Sequence, residues 1–154
     1  MNLQLWQNLL IAVSLVWEMD KKRILFVCKH NRFRSKVAEA FFNKFNKNKE
    51  YSASSAGLIP GVYPLDVEQV RIAKEFKINL KGKPKPITTD LLKKIGTMII
   101  VADNVPAKIF KNKYYGRKEY IWRIHDSVNN KSGETKEIIS KIRKRVIEFV
   151  ENLK

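Results

Sequence analysis

Apolar positions along the chain fall into short continuous runs that alternate with longer helical stripes. Arg23–Val27 (Arg-Ile-Leu-Phe-Val) is an apolar, β-rich run that reads as a buried strand leading straight into Cys28. From Ser35 to Phe45 the spacing turns helical, with Val37, Ala38, Phe41, Phe42 and Phe45 on one stripe. Tyr51–Ala56 predicts a second strand, and the stretch from Gly57 to Pro64, with two Gly and two Pro, predicts a loop. Asp66 is a suitable N-cap for a helix whose face is Val67, Val70, Ala73 and Phe76. Lys81–Pro86 is rich in breakers, and Thr88 or Thr89 caps a short helix through Ile95. Thr97–Val101 is the clearest buried strand. Asn104–Phe110 reads as a short helix, Tyr120–Ile124 as a fourth strand, and Ile138, Ile142, Val146, Phe149 and Leu153 as the face of a closing helix.

Continuous apolar strands alternating with helices imply parallel β-α-β units. The expected fold is therefore α/β, a single-domain open sheet of four parallel strands with helices on both faces. In such sheets ligands bind at the carboxyl ends of the strands. Cys28, Asp103 and Asp126 follow strands one, three and four, so they should gather on one rim.

Residues 1–20 differ from the rest. The apolar part, Leu9–Val13 and Leu15–Trp17, has no Lys or Arg before it, so it lacks the basic leader of a signal peptide. It is shorter than the roughly 20 residues that span a bilayer. Met19-Asp20-Lys21-Lys22-Arg23 followed by a strand reads as a natural beginning. The expectation is an extension translated from an upstream start codon, residues 1–20, ahead of a domain at 21–154. The alternative is an amphipathic helix docking on the domain, a partner or a membrane surface. No secretion and no membrane span are expected, and the location expected is cytoplasmic.

Composition narrows the chemistry. With 154 residues, 44% hydrophobic and 30% charged, the chain has a globular composition and one domain's length. A single Cys excludes an internal disulfide and a multi-thiolate metal site, and two His, His30 and His125, are too few for an imidazole cage. No metal and no cofactor are implied. The net charge of +16 is spread over the chain rather than gathered in one block. It reads as solvated basic faces that also attract anions. No helix-turn-helix, finger or aromatic RNA-binding signature accompanies it, so no specific nucleic-acid partner is expected.

Residues 28–35 read Cys-Lys-His-Asn-Arg-Phe-Arg-Ser. A loop between a strand and a helix N-terminus collects backbone N–H groups and the positive end of the helix dipole. Six residues can wrap a tetrahedral oxyanion. A Cys that opens the ring is held as a thiolate nucleophile, and an Arg that closes it can grip two phosphate oxygens. A five-residue gap between Cys28 and Arg34 is weak evidence alone, and its position after a strand strengthens it.

The order of these residues resembles the low-molecular-weight protein tyrosine phosphatase family, which shares its fold with thioredoxin-coupled arsenate reductases. The resemblance runs through Ile24–Cys28, Asn31, Arg34, Ser35 and Ala38-Glu39-Ala40-Phe41. It continues at Ser54–Gly57, Pro64, Asp66, the helix around Arg71–Asn79, Ile99–Asp103 and Trp122–Asp126. It implies a phosphomonoester hydrolase working through a cysteinyl-phosphate. Cys28 attacks phosphorus, and Arg34 and the loop amides hold the equatorial oxygens. Ser35 bonds the sulfur, and Asn31 holds the loop's backbone by bonding Ser55. Asp126 serves as general acid and then base, with Asp103 as fallback and His125 as a bystander. The substrate-binding set is Lys29, His30, Asn31, Arg32, Phe33 and Ser35. The implied partners are a phosphorylated protein or small phosphomonoester substrate, with the chain a monomer or weak dimer.

Several positions depart from the family pattern. Ser127 follows Asp126 where Pro is usual, His30 replaces Gly, and Phe33 replaces a second loop Cys. Arg32 and Lys29 make the rim positive, which favours a smaller or more anionic substrate, and Tyr63 is the only aromatic between Gly57 and Pro64. Two other readings stay open: an arsenate reductase using an external thiol, and a catalytically weakened module that binds phosphate or phosphoproteins.

Overall fold

The computed structural model describes residues 2–59, 61–111, 117–129 and 131–153, with the backbone alone for 16–21. Four strands, β1 (Arg23–Cys28), β2 (Ser52–Gly57), β3 (Thr97–Val101) and β4 (Lys118–Trp122), form one parallel sheet in the order β2-β1-β3-β4. The helices are α1 (Leu3–Lys21), α2 (Arg34–Phe45), α3 (Val67–Glu75), α4 (Thr89–Lys93) and α5 (Ser132–Glu151). This is the single-domain α/β sheet expected from the alternating pattern.

Strand alternation divides the core in two. Ile24 and Phe26 of β1 and Ile99 and Val101 of β3 point to one face, where Val37, Phe41 and Phe42 of α2 and Ile138, Ile142 and Val146 of α5 cover them. Leu25, Val27, Met98 and Ile100 point to the other, under Ile95, Phe110, Leu91 and Leu92. β1 and β3 are buried on both faces, so no polar residue interrupts their sequence between Ile24 and Cys28 or between Met98 and Val101. Phe42 is central to the thicker side, with its ring centroid 6.0 Å from Phe26 and 6.4 Å from Phe149.

The chain leaves β1 toward β2 on one side and later returns to place β3 on the other. The strand order therefore reverses at β1, and the crevice opens at its carboxyl end. Cys28 is the last residue of that strand.

Three element boundaries differ from the expectation. β4 begins and ends two residues earlier than Tyr120–Ile124. After Trp122 the chain bends: the Ile124 N–H donates to the Trp122 carbonyl, and the Ile124 carbonyl accepts from the Asp103 N–H. The apolar residues Trp122 and Ile124 are both buried, but only the first belongs to the ladder. Of Asn104–Phe110, only Ala107–Phe110 is helical, as a single 3-10 turn preceded by Pro106, which has no N–H to donate. The helix opened by Thr88, whose hydroxyl accepts from the Leu91 N–H, ends at Lys93. Asp66 caps α3 by accepting from the Gln69 N–H at 2.9 Å.

Phe42→Ala removes a fully buried ring between the sheet and α5 and should cost about 3–5 kcal/mol of stability, read by urea unfolding. A loss below about 1 kcal/mol would contradict the packing described.

Candidate active site

The loop from Cys28 to Arg34 is shaped by its neighbours. The carbonyls of Cys28 and Lys29 accept from the N–H groups of Leu58 and Ile59, which continue β2 past its end. The N–H groups of residues 29–33 donate to no protein acceptor among the described residues. With the carbonyls turned toward β2, these amides form a cluster of unmatched donors at the N-terminus of α2, the arrangement that binds oxyanions.

Asn31 holds this shape. It is fully buried, with φ +54°, a left-handed conformation that Asn tolerates better than most residues. Its Oδ1 accepts from the Lys85 N–H at 2.9 Å, which fixes the amide's orientation. Its Nδ2 then donates to Ser35 Oγ at 2.8 Å and to Ser55 Oγ at 2.9 Å. The proton directions follow. The Ser55 hydroxyl donates to the Glu39 carboxylate. Ser35 has two partners, the Asn31 amide and Cys28 Sγ at 3.0 Å, and only the sulfur can accept. With the Asn31 amide donating to it, the Ser35 hydroxyl keeps its proton available for the sulfur of a thiolate.

Gly57 lets β2 approach this closely. A Cβ there would stand 2.7 Å from the His30 carbonyl carbon and 2.8 Å from the Asn31 nitrogen, both backbone atoms. Behind the loop, Lys36 is 6% exposed and donates to the Lys81 carbonyl at 3.1 Å. Burial pushes its ammonium below the usual lysine range, an effect that Glu39 opposes.

Arg34, 2% exposed, is held from the far side of the crevice. Nη1 donates to the Ile124 carbonyl at 2.9 Å. Nη2 donates to Asn104 Oδ1 at 3.0 Å and Asp126 Oδ2 at 3.1 Å, and Asp103 Oδ1 lies 3.7 Å from Nη1. The bend after β4 thus turns the Ile124 carbonyl onto the guanidinium. Asp103 orders this rim and caps no helix. Cys28, Arg34 and Asp126 line one pocket of about 190 Å³ with His30, Arg32, Phe33, Asp66, Gln69 and Ser127.

Other expected contributors are placed differently. Lys29 does not line the pocket. Arg32 lines it, but its guanidinium is committed to the Pro64 carbonyl at 2.8 and 3.0 Å and lies 5.8 Å from the Tyr63 ring centroid. It straps the loop after β2 to the phosphate loop. Phe33 borders the pocket while its ring is buried with the α2 core. The rim is mixed in charge, since Asp66 and Asp126 face the same space as Arg32 and Arg34.

A family model described as low molecular weight phosphotyrosine protein phosphatase matches residues 23–154. The chain belongs to this family. Among curated proteins it is 30% identical over 141 residues to arsenate reductase 1 of Staphylococcus haemolyticus, covering 88% of this chain and 99% of that one. An arsenate reductase from Archaeoglobus fulgidus superposes with a TM-score of 0.70 at 25% identity, over 84% of this chain and 99% of that one. A low molecular weight protein tyrosine phosphatase from T. tengcongensis superposes with a TM-score of 0.73 at 24% identity, over 85% and 99% of the two chains. An arginine phosphatase from Geobacillus stearothermophilus shares the fold, with a TM-score of 0.71 at 17% identity over 84% and 91%. The family is thus one of enzymes, with phosphatases and arsenate reductases on the same scaffold.

Two residues of this family member were not singled out from the sequence. Asn104 braces Arg34. Glu134, in the first turn of α5, accepts from the Val128 N–H at 3.0 Å, the Asn129 N–H at 3.3 Å and the Ser127 hydroxyl at 3.1 Å. It staples the segment that follows Asp126, whose Oδ1 in turn accepts from the Ser127 N–H. The Val128 amide, aided by Asn129 and Ser127, holds the Glu134 carboxyl below the usual glutamate range. The sign follows from a depressed folded value: the staple's stabilisation is present above the usual range and is lost as pH falls through the lowered one.

Gly57→Ala should leave the fold intact and weaken vanadate binding about tenfold or more, the equivalent of one misdirected hydrogen bond. Calorimetry measures it, and unchanged affinity would contradict the close approach as the determinant of loop shape.

Proposed function

We propose that the protein is a phosphomonoester hydrolase that works through a cysteinyl-phosphate at Cys28, in the manner of a low molecular weight protein tyrosine phosphatase. The observation that supports this most is the cluster of N–H groups at residues 29–33 without protein acceptors among the described residues, closed by Arg34 and opened by a sulfur 3.0 Å from the Ser35 hydroxyl. A phosphate in that cluster would be bound through its non-bridging oxygens, with Cys28 Sγ behind phosphorus.

Cys28 attacks, the S–P bond forms and the ester P–O bond breaks. Asp126 gives its proton to the departing oxygen as the bond cleaves. In the second step Asp126 takes a proton from water, the new P–O bond forms, and the S–P bond breaks to release inorganic phosphate and the thiolate. The Ser35 hydroxyl stabilises the sulfur as it leaves. Arg34 follows the charge on the equatorial oxygens in both steps. When phosphate engages the guanidinium, Asp126 leaves Arg34, takes up a proton from solvent and turns toward the substrate oxygen as the neutral acid, while Glu134 keeps its segment in place.

The substrate is a phosphorylated protein or a small phosphomonoester. The pocket's wall combines Arg32, Asp66, Gln69 and Ser127 rather than an aromatic slot, so polar contacts would contribute more to recognition than ring stacking. We place the enzyme in the cytoplasm, where a lone thiolate stays reduced.

A second reading, arsenate reduction, is favoured by the 30% identity to the Staphylococcus haemolyticus protein. Arsenate is a tetrahedral oxyanion of the same charge as phosphate and only slightly larger. The chain has one Cys, so the thiols that complete a reductive cycle would come from another molecule.

Hydrolysis of p-nitrophenyl phosphate under reducing conditions tests the proposal. The wild type should turn over without metal and Cys28→Ser should be inactive. Asp126→Ala should lose about 10²–10⁴-fold in kcat, and Glu134→Ala about tenfold in kcat with KM nearly unchanged. A folded wild type that binds vanadate yet never turns over would favour the binding-module reading.

A further inference from the structure

Helix α1 has no role in the chemistry above, and its surface is unusual for a protein in water. Residues 3–15 contain no charged side chain. Every described residue from 2 to 15 is exposed, and eight large apolar side chains there are 53–77% exposed, so this part of the helix is not packed on its own domain. A contiguous apolar surface of that size marks an interaction site.

Its shape points to the kind of partner. At 100° per residue, Leu3, Leu5, Leu9, Val13, Trp6 and Leu10 occupy an arc of about 180°. The opposite side carries Gln4, Gln7, Asn8 and Ser14, with Gln4 donating to Asn8 at 3.2 Å, and the exposed Ile11 and Leu15 extend the apolar surface between them. A partner helix would cover a narrow seam, whereas a lipid surface wets a broad arc. No helix among the described residues is long and apolar enough to cross a membrane.

Charge supplies the second argument. Residues 1–22 carry two acids and two bases, so the whole net charge of +16 belongs to residues 23–154. An uncharged, broadly apolar helix joined to a strongly basic domain matches a surface that offers apolar depth and negative charge together. We propose that α1 lies in the interfacial layer of an anionic lipid bilayer, with the basic domain held against the headgroups. The proposal is independent of the reaction assigned to the pocket.

The test is co-sedimentation of the full chain with vesicles of phosphatidylcholine alone or mixed equally with phosphatidylglycerol. Binding to the mixed vesicles should exceed binding to neutral ones by about tenfold or more and fall in high salt. Trp6→Gln with Leu9→Gln and Val13→Gln, all exposed positions at the centre of the arc, should lower it at least about tenfold. Equal binding to both vesicle types, indifference to salt, or an unaffected triple variant would each overturn the proposal. So would a stable dimer that the triple variant dissociates while the wild type fails to sediment. A native N-terminus at Met19, read by mass spectrometry of protein from its own cell, would overturn it as well.

Discussion

The buried amide of Asn31 is the interaction on which the rest of the site depends. One small side chain connects the phosphate loop to three other elements: Ser35 in α2, Ser55 in β2 and the Lys85 backbone beyond α3. The two bonds from Nδ2 are buried, so losing either leaves a polar group without water, at about 1–3 kcal/mol. The left-handed backbone at Asn31 would cost free energy in isolation. The three bonds hold it there, and that conformation is part of what turns the neighbouring N–H groups away from protein acceptors.

The sheet supplies the location and the polar network supplies the chemistry. Strand order reverses at β1, so the crevice opens where Cys28 ends its strand and α2 begins. Arg34 reaches across to the bend after β4, where the Ile124 carbonyl, Asn104 and Asp126 receive it. Three segments far apart in sequence thus meet: residues 28–34 with the oxyanion donors and the sulfur, Asn104, and the bend after β4 with its carboxylate. Glu134 adds a fourth by fixing the segment after Asp126, where Ser127 lacks the conformational restriction of a proline.

Much of this was legible in the chain because it is written in local pattern. The apolar runs of β1 and β3 are buried on both faces, and the Val37–Phe41–Phe42 stripe of α2 follows the helical period, so their assignments held. Edge strand β4 was displaced because its exposed face weakens the apolar signal and a buried Ile124 lies beyond the ladder. Cys28, Asn31, Arg34, Ser35 and Asp126 could be named from spacing and family order. Asn104 and Glu134 could not, since nothing local distinguishes a bracing carboxylate or amide from a solvated one. Arg32 illustrates the reverse: its charge suggested a substrate contact, and only the three-dimensional path of Pro64 shows the guanidinium tied to a carbonyl.

The proposed chemistry rests on a covalent bond between Cys28 and phosphorus. The direct measurement is mass spectrometry of Asp126→Ala protein, mixed with p-nitrophenyl phosphate and quenched within the first turnover. The variant slows the second step, and a phosphate adduct confined to the Cys28 peptide is the predicted result. Release of nitrophenol in step with turnover, with no adduct on Cys28 at any quench time, would contradict it.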